Sequence, residues 1–211
     1  MNAKDEILQK QLPTLMVPHH EPLPPILEGY SRLLMARDGL WIESKTAWGH
    51  FVRALWRSKR VLPYGALTPV DTLYCKSIPM TFIERFLQQA NYAAERSVET
   101  IAWILWSPSK GWKYLVPEIL LQTAVRVDYR WPDLRDDWSL VVDLHSHGSL
   151  PARFSRDDDE SDVGFPHFSI VLGHCKPGRE LEEIDHSLRL CLCGYYFEET
   201  LPWKREKERG L

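Results

Sequence analysis

Two histidines, His145 and His147, stand one residue apart at the end of a short apolar run, Val141-Val142-Asp143-Leu144. On an extended chain, residues two apart project from the same face about 6.7 Å from each other, so both imidazoles can converge on one ion. Zn2+ takes His nitrogens at ~2.0–2.1 Å, and a catalytic zinc keeps three protein ligands and one open position for water. The segment that follows can supply the third, anionic ligand. Arg153 to Asp162 carries two arginines and five carboxylates, which is the whole of the chain's net charge of −3. Within it, Ser155-x-x-Asp158 reads as a helix N-cap with acids in the first turn, an arrangement the helix dipole favours. A capped start would hold Asp158 firmly enough to coordinate. Asp157, Asp159, Glu160 and Asp162 either orient a ligand histidine or form a solvated face, and the second reading is favoured. Other metal folds with this histidine spacing fit poorly. Only 64 residues follow His147, too few for a (β/α) barrel of ~200 or more, and Pro151 and Ala152 occupy the place where a cupin wants a Glu.

The elements around this pair follow from periodicity. Five prolines and His19-His20 within 13–28 mark an extended lead-in whose histidines belong to a surface loop. Tyr30 to Ala36 and Leu40 to Ser44 flank Asp38-Gly39, a hairpin signal. Trp48, Phe51, Val52, Leu55 and Trp56 predict a helix over 47–58. Pro63 to Pro79 reads as a linker or boundary. Thr81 with Glu84 forms a capping-box pattern before Phe82, Phe86, Leu87, Ala90 and Ala94, which predicts a helix over 82–95. Strand-like runs follow: Thr100 to Trp106, Trp112 to Val116, Leu121 to Tyr129, Leu140 to His145, Phe168 to Leu172 and Leu188 to Phe197. A helix and then mostly strands indicates an α+β fold. His167 and His174, near strand ends, read as structural histidines, and Cys191 and Cys193 as small buried strand residues.

His-Ser-His, seven residues, Ser, two residues, Asp resembles the signature of the JAMM (MPN-plus) zinc metalloproteases, and His145, His147, Ser155 and Asp158 meet it without a gap. That family has a glutamate 45 to 60 residues earlier, at the start of a strand after its first helix. Glu99 lies 46 residues before His145 and opens Glu99-Thr100-Ile101-Ala102-Trp103-Ile104, similar to the family's Glu-x-x-Gly-Leu-Leu with Ala102 for Gly. Glu95 and Glu118 are rivals for that position, and Asp157 is the substitute for Asp158 if the register differs. Gly148 stands where a Pro commonly follows His-Ser-His. The resemblance, covering about 79–197, implies a JAMM/MPN-like (cytidine-deaminase-like) mixed sheet flanked by helices. It also implies one zinc per chain on His145, His147 and Asp158, with Glu99 as general base and Ser155 as oxyanion donor. The activity it implies is (iso)peptidase cleavage after the C-terminal tail of a ubiquitin-like protein. A non-catalytic MPN-type scaffold, or a peptidase trimming a sulfur-carrier protein, are the alternatives. A narrower resemblance, through Asp38-Gly39-Leu40-Trp41, Leu62-Pro63-Tyr64-Gly65 and Val142 to Ser155, is to the A-protein family of bacterial PRTRC cassettes. It implies a ThiF/E1-like partner and a ubiquitin-like one.

Composition bounds the rest. With 44% apolar and 26% charged residues the chain is an ordinary globular one, and its mild acidity gives no reason to expect nucleic acid as a partner. No run approaches the ~18 residues of a membrane span. The polar first twelve residues predict no export signal, and four cysteines without one predict reduced thiols in the cytoplasm. The expected organisation is an N-terminal, hairpin-containing extension (1–76), the metalloprotease-like domain (77–197) and a charged tail (198–211).

Overall fold

The computed structural model describes residues 2–200, so most of the charged tail, from 201 onward, lies outside the described residues. The chain divides into two compact units, Met1–Ser77 and Ile78–Leu211. In the first, helix α1 (Ala3–Gln11) precedes a five-stranded sheet: β1 (Thr14–Met16), β2 (Tyr30–Ala36), β3 (Gly39–Lys45), β4 (Gly49–Arg57) and β5 (Val70–Leu73), neighbours in chain order. Strand β1 runs parallel to β2 and the others pair antiparallel. The anticipated hairpin is β2–β3. Its turn falls one residue early, at Arg37 and Asp38, because Ala36 pairs with Gly39.

The helix anticipated over 47–58 is instead strand β4. Phe51 and Val52 are adjacent yet only 2% and 5% exposed, because the strand is covered on both faces. Val52 joins Leu34 and Trp41 in one apolar cluster, while the Phe51 ring meets that of Trp48 at 5.2 Å between centroids. A strand buried on both sides loses its period of two, and apolar residues at 48, 51, 52, 55 and 56 then mimic a helical spacing. The stretch expected to be a linker contributes β5 as an edge strand.

In the second unit α2 (Met80–Glu95) leads into β6 (Thr100–Ser107), β7 (Gly111–Leu115), β8 (Glu118–Gln122), β9 (Val127–Arg130), β10 (Ser139–Ser146), α3 (Arg156–Ser161), β11 (His167–Gly173), β12 (Asp185–Leu192) and β13 (Tyr195–Glu198). The Thr81/Glu84 capping box does not form: Thr81 is already helical, and Pro79 caps α2 without a side-chain hydrogen bond. Two runs expected as single strands are hairpins, β8–β9 and β12–β13. The second turns at Cys193 and Gly194, both with positive φ (51° and 85°), the pattern of a tight type I′ turn. Cys191 is buried in β12 as expected, whereas Cys193 sits in the turn and is only partly covered.

The resulting sheet, β13-β12-β11-β10-β6-β7, is mixed, with β10 and β11 parallel and the other pairs antiparallel. Mixed sheets with few helices make the molecule α+β. Helix α2 packs on β6 and β10 through a face containing Ile83, Phe86, Leu87 and Ala90. The opposite face carries the β8–β9 hairpin and, through Asp158 on His145 and Asp162 on Arg189, helix α3. There Ile101, Trp103 and Leu105 of β6 meet Ile119, Val127 and Tyr129 of the β8–β9 hairpin. No helix among the described residues is long and apolar enough to cross a membrane.

The crossover from β10 to β11 is threaded through a tight space. A Cβ on Gly173, at the end of β11, would overlap the backbone of Leu150, Pro151 and Ala152. Backbone cannot yield as a flexible side chain does, so Gly173→Ala should destabilise the second unit by about 3 kcal/mol. The check is the urea midpoint at unchanged slope; a midpoint equal to wild type would refute the close packing.

Candidate metal centre

Strand β10 is the rail on which the site is built. Its register with β6 sets Asp143 opposite Trp103 and His145 opposite Ile101, and alternation puts Asp143 and His145 on the face covered by β8–β9. His147 follows just beyond the strand, its N–H donating to Leu172 O at 2.9 Å. Gly148 then adopts φ +54°. A Pro is locked near −65°, so the Pro that the resemblance led one to expect here has no place in this loop.

The loop returns to α3, where Ser155 is the N-cap in a reciprocal capping box with Asp158. This anticipated cap is the one that forms, and it turns Asp158 inward. Asp158 Oδ1 lies 3.0 Å from His145 Nε2 and Oδ2 lies 3.6 Å from His147 Nε2. The side chains of both histidines are 13% exposed. One donor atom from each of the three residues lies within 4.8 Å of the others.

The donor set suits a divalent cation. His147 Nδ1 faces Pro151 O at 3.3 Å; a carbonyl only accepts, so Nδ1 carries the proton and the Nε2 lone pair points into the cluster, the tautomer a metal needs. His145 Nε2 is buried and, despite its proximity to Asp158, makes no hydrogen bond of acceptable geometry. Two imidazoles and one carboxylate leave an open position on a tetrahedral zinc. Burial raises the Asp158 carboxyl, but the two histidines overturn this and hold it far below the usual carboxylate range. Burial pulls His145 down, and Asp158 more than compensates, raising it.

Glu99 immediately precedes β6 and is 8% exposed. Its N–H donates to Thr123 O (2.8 Å), and its carbonyl accepts from Gln122 Nε2 (3.0 Å). Burial raises its carboxyl above the ordinary value, the nearby His147 and His145 pulling the other way. Glu99, His145, His147, Ser155 and Asp158 all line one cleft of about 870 Å³, walled by Val125–Tyr129 and by Leu150, Pro151, Arg153 and Phe154. Neither rival base reaches it. Glu95 ends α2 beside a separate depression, and Glu118 is exposed and paired with Arg130 at 2.6 Å. Asp157 lines the cleft but stands outside the three-donor cluster. Ser155 Oγ donates to Asp158 Oδ2 at 2.7 Å.

Residues 82–189 match the family described as prokaryotic homologs of the JAB domain. The chain belongs to this family. The JAB homology thus runs from within α2 to within β12 and includes every residue of the cluster. Residues 2–74 match a separate family described as a domain of unknown function, DUF2016. No curated protein matches significantly. Among solved structures, the solution structure of protein DSY2949 from Desulfitobacterium hafniense aligns over 56% of this chain and 86% of its own, at 15% identity and a TM-score of 0.41.

Further charged groups surround the site. Asp143 accepts from Trp103 Nε1 at 3.1 Å, while its other oxygen is buried without a partner; burial raises this carboxyl to about 6. The acids anticipated as a solvated face divide. Asp157 and Glu160 are exposed, but Asp162 is 4% exposed and Asp159 half-buried. Asp162 pairs with His167 (3.1 Å) and Arg189 (2.7 Å), and Asp159 with Arg189 (2.5 Å). His167 has the structural part expected of it. Asp162, His167 and Cys191 form a second close group of potential ligands, but Arg189 already supplies the cation there.

Burial raises the Asp162 carboxyl, yet His167 and then Arg189 outweigh it and bring it to about 2. An unfolded aspartate titrates near ~3.9, so the stabilisation is complete above that pH and drains away as pH falls from about 4 to about 2. Asp162→Asn should therefore be about 2 kcal/mol less stable than wild type at pH 6, with the gap closing towards pH 2. Urea unfolding across that range checks it; a gap independent of pH would contradict the ion-pair origin.

Proposed function

We propose that the JAB-homologous unit is a zinc-dependent peptidase of the isopeptidase type, acting on the bond after the C-terminal tail of a ubiquitin-like protein. The observation that supports it most is the convergence of His145, His147 and Asp158, with the His147 tautomer set by Pro151, in the same cleft as a buried Glu99. Bound zinc would supply Lewis-acid polarisation of the scissile carbonyl and lower the pKa of water at its open position. Glu99 takes the proton of the attacking water and passes it to the leaving amine, a task for which its burial-raised carboxyl is suited. Ser155 Oγ turns from Asp158 to donate to the developing oxyanion.

The substrate rests on the family resemblance and on the PRTRC-like stretches. By that reading the protein works in the cytoplasm beside a ThiF/E1-like and a ubiquitin-like protein, without nucleic-acid or membrane partners. The DUF2016-matching unit carries no assigned role in this chemistry.

Purified protein should hold about one zinc per chain. His145→Ala should lose it, whereas Glu99→Gln should keep the metal while cleavage of a ubiquitin-like fusion encoded beside it falls by about 10²–10⁴. Absence of stoichiometric zinc, or cleavage that persists in both variants, would defeat the enzymatic reading. Zinc without cleavage of any such fusion would favour the scaffold. Chelation should speed hydrogen exchange first in residues 148–164, where Asp158 loses its cation; exchange there indifferent to chelator would count against a metal at this site.

A further inference from the structure

Helix α3 delivers Asp158 to the cluster, yet none of its six residues is buried. It has no apolar face with which to seat itself on the sheet. A short helix of this kind is marginal without tertiary anchorage, so something polar must fix its position. Arg189, on β12, is that anchor. Its side chain is 5% exposed. Nη1 donates to Asp159 (2.5 Å), the residue after Asp158, and Nε and Nη2 donate to Asp162 at the helix C-cap (3.1 and 2.7 Å). Tyr196 Oη adds a hydrogen bond to the Asp159 carbonyl at 2.5 Å. The guanidinium also lies over two rings, 3.8 Å from the Phe154 centroid and 4.1 Å from that of Tyr196. Phe154 in turn sets its ring edge-on to His145, at 6.3 Å between centroids.

We propose that Arg189 is the positioning residue of the metal centre, holding Asp158 through both flanks of α3 and bracing His145 through Phe154. It rests on the metal site proposed above. A lysine cannot replace it. The three bonds to two carboxylates need the planar fork, and the ring stacking needs a flat, weakly hydrated cation.

The test is zinc affinity, read by competition with a chromophoric chelator on folded protein below its melting temperature, together with the visible spectrum of the Co2+-loaded form. Arg189→Lys should bind zinc about 10- to 100-fold more weakly and show an altered cobalt spectrum. Asp159→Ala, which removes one of the three bonds and leaves the Tyr196 bond to the main-chain carbonyl, should weaken zinc by a smaller factor in the same direction, and it decides the matter if Arg189→Lys does not fold. Ile83→Val, in the face of α2, lowers stability without touching this network and should leave zinc affinity and the cobalt spectrum at wild-type values. Wild-type affinity and spectrum in Arg189→Lys, with wild type itself binding zinc, would overturn the positioning role alone. A wild type that takes up no zinc would overturn the functional reading and this inference with it.

Discussion

The backbone ladder of β10 is the constraint on which the site depends. The strand is paired on both sides, antiparallel to β6 and parallel to β11, and Val141, Val142 and Leu144 are fully buried. A slip of one residue would exchange its faces, turning Leu144 into the cleft and His145 toward α2. The cost of burying an imidazole among the apolar residues of α2, with leucine in its place, is what holds the register. Ser146, the next residue on that α2 side, is itself satisfied by the Thr100 N–H at 3.2 Å. Because β6 runs beside β10 in fixed register, Glu99 arrives at the same end of the sheet as His147. Glu99 and the two histidines are thus placed by one set of hydrogen bonds, although 46 residues separate Glu99 from His145.

Asp158 is held by different physics. The acidic segment that carries the chain's whole net charge is partitioned residue by residue. Asp158 faces the histidines, Asp159 and Asp162 share Arg189, and Glu160 pairs with Arg156 along the exposed helix at 2.9 Å. Paired in this way, the carboxylates anchor the segment, where unpaired they would repel one another within two turns of chain.

Local signals in the sequence carried much of this. The His-x-His spacing, the Ser155-x-x-Asp158 cap and the glutamate at the head of β6 are features of a few consecutive residues, and the cleft holds all of them together. What escaped was either doubly covered or distant. Strand β4 looked helical because both its faces are buried. Thr81 looked like a cap because its spacing from Glu84 is right, but Pro79, already extended, starts the helix earlier. Asp162 and Arg189 lie 27 residues apart, and nothing in either residue's neighbourhood announces the other. Only the β11–β12 hairpin brings them together. Asp143 was visible as an interruption of an apolar strand, and its alignment with His145 follows from the period of two.

The two supports differ in what weakens them, and this bears on how the site comes apart. Apolar burial around β10 is indifferent to protonation, whereas the seat of α3 is made of ion pairs whose carboxylates must stay charged. Acid strong enough to protonate Asp162, towards pH 2, therefore loosens the half of the site that carries Asp158 and leaves β10 in register. Local opening of a segment with no buried apolar surface costs less than global unfolding, so α3 and the loop before it form the least stable part of the centre. A ligand delivered by such a segment binds tightly only if the segment is already ordered, since any ordering left to the moment of binding subtracts from affinity. Arg189 supplies that order from the sheet. The rigid half of the site thereby lends its stability to the half that cannot hold itself.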